Sequence, residues 1–353
     1  MLDLETINAQ IGPLDQEAMT VATDKWNAVA KPIASLGKLE TLVEQIAGIT
    51  GSPDVSIAKR CSTILCSDNG VVAEHVTQGG SEITTAIAGN IARGISSINV
   101  MCKPAGIDAF AVDLGMEHPS ADPRVLDRNV MRGTGDIMLG PAMSCDQALE
   151  AVQKGIDLVG ELKAQGYELI ATGEMGIGNT TTSSAMTSVF LGMTPEEVTG
   201  KGAGLSERDY RHKIDVVRRA VEVNHPDPKD PVDVLAKLGG CDIAGLAGMY
   251  IGGAVHRVPV IVDGFICTVG AYTAAQLCPA VRPYLIPSHL SIEPAVQALE
   301  DALGFDPVIH GGMHLGEGTG AVCLVPLLDM ALGLYNGTTY EDTGIDAYEV
   351  DPQ

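Results

Sequence analysis

Apolar residues along the chain fall into two rhythms. Short, nearly continuous apolar runs bounded by glycines or polar clusters occur at 62–66, 108–113, 168–172, 258–264 and 284–287 and read as buried strands. Pro259 fits such a strand only near its start or edge. Other segments keep helical spacing. Within 14–51, Ala18, Val21, Ala22 and Val29 mark one apolar stripe and Leu39, Leu42, Val43 and Ile46 a second, with Pro32 and Ser35-Leu36-Gly37 bending the chain between them. A helix is expected over about 82–94, and another from Ser144, whose capping-box partner is Gln147, to Gly166. Ser206 caps a helix with the stripe Tyr210, Ile214, Val217 and Val221, which places Lys213 off the stripe and free to reach solvent or a ligand. Asp230-Pro231 starts a helix that Gly239-Gly240 stops. Residues 243–255 are small or apolar on every face, as in a helix buried within the domain. A last helix runs to about Leu334, and the acidic tail after Gly337 is peripheral.

Strands separated by helices predict an α/β fold with a mostly parallel, Rossmann-like sheet flanked by helices. The polar and glycine-rich pieces follow strands, so they should gather along one edge of the sheet. Asp68-Asn69-Gly70 follows the first strand, and Gln78-Gly79-Gly80-Ser81 forms a loop before a helix. The stretch 173–182, Gly-Glu-Met-Gly-Ile-Gly-Asn-Thr-Thr-Thr, links a strand to a helix whose opening is expected at Ser183–Phe190. Its glycines allow a sharp turn and close approach to a ligand, and Asn179 and Thr180 stand where a helix start exposes free N–H groups to an anion. A phosphate cradle is one reading; ordinary α/β architecture is the other, since neither standard phosphate-loop pattern is present.

Composition narrows the choice. The chain has 353 residues, 45% hydrophobic and 19% charged, enough for a large buried core. Its net charge of −23 argues against nucleic acid or an anionic membrane as partner and requires a local cation wherever an anionic substrate binds. Lys213 could supply it, although a helix lysine is more often a solvated surface group. The eight cysteines show no Cys-x-x-Cys pair and read as buried reduced thiols. With no leader pattern at the start and no apolar run of membrane-spanning length, a cytoplasmic location is expected.

Glu317 is the foremost candidate for proton chemistry. Flanked by Gly316 and Gly318 after Leu315, its carboxylate sits in a tight, partly apolar turn where desolvation would raise its pKa. The alternative is that it caps the helix starting near Thr319 or pairs with a basic neighbour. Glu174 is a second carboxylate in a glycine turn, able to bind a sugar hydroxyl or merely to tie down its loop. His289, His310 and His314 do not make a metal site, because Gly311-Gly312 disfavours the helix that His310 and His314 would need.

Taken together, Lys31-Pro32 with Ser35-Leu36-Gly37-Lys38-Leu39-Glu40, Asp68-Asn69-Gly70-Val71, the 173–181 stretch, Asp263-Gly264-Phe265, Ser288-His289-Leu290-Ser291 and Leu315-Gly316-Glu317-Gly318-Thr319-Gly320-Ala321 resemble the nicotinate-nucleotide–dimethylbenzimidazole phosphoribosyltransferase family, which assembles the lower-ligand nucleotide of cobalamin. The resemblance runs in order over nearly the whole chain. It implies transfer of phosphoribose from nicotinate mononucleotide to an aromatic base, with Glu317 taking the proton of the attacking nitrogen and no cofactor or metal. It places the nucleotide against Glu174, Met175, Gly176, Ile177, Gly178, Asn179, Thr180, Gly202, Lys213 and Ser291, and the base against Gly80, Ser81, His314, Leu315 and Gly316. It further implies a homodimer, and a small helical domain from both chain ends (1–58 and 325–353) beside a catalytic domain over 59–324.

Departures from the family pattern gather near the presumed base pocket. The Ser-Pro usual near Gly79-Gly80 is missing, Ala88 stands for a glutamine, His75 for a glycine, His314 for an arginine, and Ile33-Ala34 for Pro-Gly. The base could therefore be another benzimidazole, a purine or a phenol. A non-catalytic nucleotide-binding paralogue is a further alternative. A dinucleotide-dependent oxidoreductase would need a fingerprint glycine loop with an acidic residue about twenty positions later, which is not found.

Overall fold

The structure is a computed structural model that describes residues 2–202 and 204–348. Six parallel strands form one sheet: β1 (Arg60–Ser67), β2 (Asp108–Gly115), β3 (Leu126–Asp127), β4 (Leu169–Met175), β5 (Val260–Val262) and β6 (Leu285–Pro287). Their order is β3-β2-β1-β4-β5-β6, so the chain winds one way from β1 and the other way from β4. A crevice opens where the direction reverses, at the carboxyl ends of β1 and β4. Both strands are buried nearly throughout, which is why they read as continuous apolar runs rather than alternating ones.

The helix expected from Ser144 is Cys145–Ala164, with the reciprocal capping box to Gln147 in place. It packs against Cys241–His256, the helix that is apolar on every face. Glycines bring the two backbones together: a Cβ on Gly248 would lie 2.0 Å from the Val152 carbonyl oxygen. No larger residue fits there without moving a helix.

Three expectations need correction. The strand predicted over 258–264 contains only Val260–Val262. The strand predicted to end at Thr172 continues through Met175, so Gly173 and Glu174 pair in register with Ile64 and Leu65 rather than lying in a turn. The following helix starts at Asn179, four residues before Ser183.

At the chain ends, helices Gln16–Ala28 and Lys38–Thr50 pack together and meet Thr319–Tyr335. Trp26 packs against Tyr335 with ring centroids 4.9 Å apart and the rings tilted by 58°. The Lys31–Glu40 motif is structural here: the two form a buried ion pair at 2.8 Å, and the same glutamate oxygen accepts from Leu36 N–H at 2.8 Å. Tyr340 Oη donates to the Lys31 carbonyl at 2.6 Å, and Val29 bridges Thr339. The boundary expected at 325 falls inside Thr319–Tyr335, so one rod joins the carboxylate turn to the N-terminal helices.

Candidate active site

A cavity of about 810 Å³ opens over the carboxyl ends of β1, β4, β5 and β6. Each strand is followed by polar or glycine-rich chain, and the parallel sheet points all of these ends the same way. The mid-chain turn and the C-terminal turn, some 140 residues apart in sequence, meet here. A Cβ on Gly173 would fall 2.6 Å from the carbonyl carbon of Glu317, so the two segments touch through their backbones.

The C-terminal turn is conformationally unusual. Gly316, Glu317 and Gly318 all have positive φ, at 82°, 57° and 83°. For glutamate this costs on the order of 1 kcal/mol. The turn is held by Asp263, at the end of β5, which accepts from Gly318 N–H at 3.1 Å and Ala321 N–H at 2.9 Å. Asp263 therefore caps the Thr319–Tyr335 helix, and Glu317 is spared that task. Its side chain lines the cavity instead, half-buried, and its Oε2 atom has no hydrogen-bond partner among the described residues. Burial raises the Glu317 pKa, opposed by the Ile98 N–H. A partly dry carboxylate with a raised pKa and one oxygen free of partners is chemically suited to accept a proton.

Glu174 is fully enclosed on β4 with its carboxylate at the cavity wall. Asn179 donates to it and also to Asp242 Oδ2 at 3.0 Å, holding the two acids apart with one amide. Burial pushes Glu174 up to about 8, despite the Asn179 hydrogen bond, and Asp242 up to about 6. Glu174 therefore carries its proton near neutral pH, which reduces the negative charge stored beside Glu317.

At the other end, Gly178 at φ 94° starts the Asn179–Leu191 helix without any side-chain cap. Thr180 in its first turn meets Lys213, whose Nζ donates to Thr180 Oγ1 at 2.8 Å. Lys213 corrects the sequence reading most sharply. It is only 1% exposed, because the buried face of Glu207–Asn224 is Lys213, Val216, Val217 and Ala220 rather than the stripe through Tyr210 and Ile214. Burial lowers its pKa to about 8. Gly202 packs against this pair, with a Cβ there 3.2 Å from Thr180 Oγ1.

Met175, Gly176, Ile177, Ser291, His314, Leu315 and Gly316 also line the cavity, so all the predicted nucleotide residues and three of the five predicted base residues converge. Gly80 and Ser81 do not line it; the wall on that side is Val76, Thr77, Gln78, Gly79 and Ile83. The loop is turned by its own contacts: Thr77 Oγ1 bonds to the Gly79 carbonyl at 2.7 Å, and Gln78 Nε2 reaches the Gly204 carbonyl at 2.6 Å. His310 and His314 lie near carbonyls of their own loop, Pro307 at 3.3 Å and Gly312 at 3.4 Å. Sequence reasoning misses the roles of Asp263, Asp242 and Glu293. Only the Asp-Gly after a strand hints at the first, and nothing local marks the other two.

Comparison with known proteins fits this geometry. A family model described as Phosphoribosyltransferase matches residues 11–345. A nicotinate-nucleotide–dimethylbenzimidazole phosphoribosyltransferase from Acetivibrio thermocellus is 41% identical over 340 residues, covering 96% of this chain and 97% of the relative. One of the same name from Geobacter metallireducens is 40% identical over 344 residues, covering 97% of each. The crystal structure of CobT from Thermus thermophilus superposes with a TM-score of 0.88 at 34% identity, over 94% of this chain and 99% of that one. Similarity of this depth spans both the sheet and the turns that build the cavity, and the chain belongs to the nicotinate-nucleotide–dimethylbenzimidazole phosphoribosyltransferase family.

Proposed function

We propose that this enzyme transfers phosphoribose from nicotinate mononucleotide to 5,6-dimethylbenzimidazole or a related aromatic base, giving α-ribazole 5′-phosphate and nicotinate. The observation that carries the proposal is the shared cavity: a helix start without a side-chain cap beside a buried lysine at one end, and at the other a carboxylate with a raised pKa and one oxygen without a partner among the described residues.

The phosphate binds at the Asn179–Leu191 helix start, where Lys213 supplies the positive charge that the acidic chain otherwise lacks. Gly176, Ile177, Gly178, Thr180, Gly202 and Ser291 shape that end. The ribose then lies toward Glu174, and the anomeric carbon toward Glu317. The incoming base packs between Leu315 and the wall of Val76 and Ile83. As its ring nitrogen bonds to the anomeric carbon, Glu317 removes the proton on the azole, so positive charge does not build up on the product. The nicotinate ring nitrogen is cationic in the nucleotide and leaves neutral, with its bonding electrons. The enzyme's remaining contribution is to hold base and anomeric carbon close and in line.

The test is incubation with nicotinate mononucleotide and candidate bases, following nicotinate release. No release with any benzimidazole, purine or phenol overturns the transferase reading; exclusive use of dimethylbenzimidazole overturns the broader base range. The resemblance also leads us to a cytoplasmic homodimer. No helix among the described residues is long and apolar enough to cross a membrane. A monomer in sedimentation velocity would overturn the dimer.

A further inference from the structure

Glu293 is a carboxylate that the chemistry above does not use. It lines the same cavity as Lys213 and His314. Its Oε2 atom is buried with no hydrogen-bond partner among the described residues. The backbone closes directly on that oxygen: a Cβ on Gly200 would fall 1.7 Å from it. Two residues on, the same loop touches the lysine, where a Cβ on Gly202 would lie 3.4 Å from Lys213 Nζ. One glycine loop thus lies against the carboxylate at one point and the ammonium at another. No hydrogen bond or ion pair joins the two groups: Lys213 donates to Thr180, and Glu293 Oε2 has no partner among the described residues.

We propose that Glu293 is a positioning residue for phosphate binding, whose carboxylate keeps Lys213 charged and extended toward the anion site. The proposal rests on the phosphate reading given above. A buried lysine without a counter-charge loses its proton and with it its attraction for phosphate. A carboxylate in direct contact would occupy the ammonium and exclude the ligand. Near the lysine without bonding to it, Glu293 favours the ammonium, which spends one of its three N–H donors on Thr180. The charges acting here agree. Burial lowers the Lys213 pKa, and Glu293 is the group that opposes the fall. Burial in turn raises the Glu293 pKa, and Lys213 opposes that rise. Lys201, the other lysine lining the cavity, is paired with Glu207 at 3.1 Å.

The experiment is the affinity for nicotinate mononucleotide from about pH 7 to about pH 9.5, above the second ionisation of its phosphate near 6. Wild-type affinity falls as Lys213 loses its proton. Glu293→Gln moves that fall to lower pH by about one unit. Glu293→Asp, which keeps the charge, leaves it near the wild-type position. In a Lys213→Arg background the cation cannot lose its proton, and Glu293→Gln produces no shift. A Glu293→Gln fall at the wild-type pH, or a loss by the same factor at every pH, overturns the proposal. If Lys213→Met does not weaken binding at pH 7, the phosphate reading fails and this proposal with it. If Lys213→Met weakens binding while the Glu293→Gln fall stays in place, the counter-charge role alone fails.

Discussion

Two glycine turns feed helices in this molecule, and they end up as chemical opposites. Gly178 precedes Asn179–Leu191 and Gly318 precedes Thr319–Tyr335; both glycines have positive φ and neither helix is capped by a neighbour in sequence. The difference lies in what the fold brings to each start. Asp263 arrives from β5 and accepts from the backbone of the second helix, whereas among the described residues no carboxylate accepts from the backbone N–H groups of the first, and the Lys213 ammonium stands there beside Thr180. A helix start already holding a carboxylate has no affinity left for an anion, while one left open beside a cation does. With Asp263 as the cap, Glu317 is left without that structural duty. The same local pattern thus yields an anion site at one turn and a candidate proton acceptor at the other.

The largest expected effect comes from neutralising the acceptor. Glu317→Gln should lower turnover by about a hundredfold or more while nucleotide affinity is largely kept, read as nicotinate release beside equilibrium binding. Unchanged turnover would end the contrast between the turns. Removing the cation tests the other side: Lys213→Met should weaken nucleotide binding by roughly ten- to a hundredfold, the worth of a charge-assisted contact. A titration giving the wild-type constant would remove phosphate from that turn.

Asp263→Asn sharpens the comparison, because it keeps the shape of the cap and deletes its charge. We expect a loss of about 1–3 kcal/mol in urea unfolding, together with lower turnover from a loosened Glu317 turn. Full stability with full turnover would show that the cap does not matter.

The last prediction concerns Glu174 and leaves turnover aside. Its folded pKa, about 8, lies above the ordinary carboxylate value because of burial, so the stability this group supplies is complete below about pH 4.5 and is lost as pH rises toward 8. The slope is at most about 1.4 kcal/mol per pH unit, and Glu174→Gln should flatten it in denaturation curves taken across that window. An identical slope in the variant would mean that Glu174 does not titrate there.

Hydrophobic spacing, caps and glycines are local signals, and they marked out most of what is local here. The Ser144 capping box, the Ser206 and Asp230 caps and the small or apolar stretch 243–255 within the Cys241–His256 helix were legible because each depends on residues within a turn or two of one another. The carboxylate and glycine turns were legible for the same reason, and the motifs that carry the family resemblance lie in them. The burial of Lys213 was not legible. An amphipathic helix can be set down several ways, and neighbouring elements chose the face that takes the lysine inward. Nor could sequence place Glu174 inside a strand: Gly173 and Glu174 have poor strand propensity, and pairing with Ile64 and Leu65 overrides it. Asp263 as the cap of a helix more than fifty residues on, and Glu293 across a loop from Lys213, are contacts between distant segments. Sequence set the parts and their local geometry; which charge faces which helix start was decided only when the parallel sheet gathered those segments at one edge.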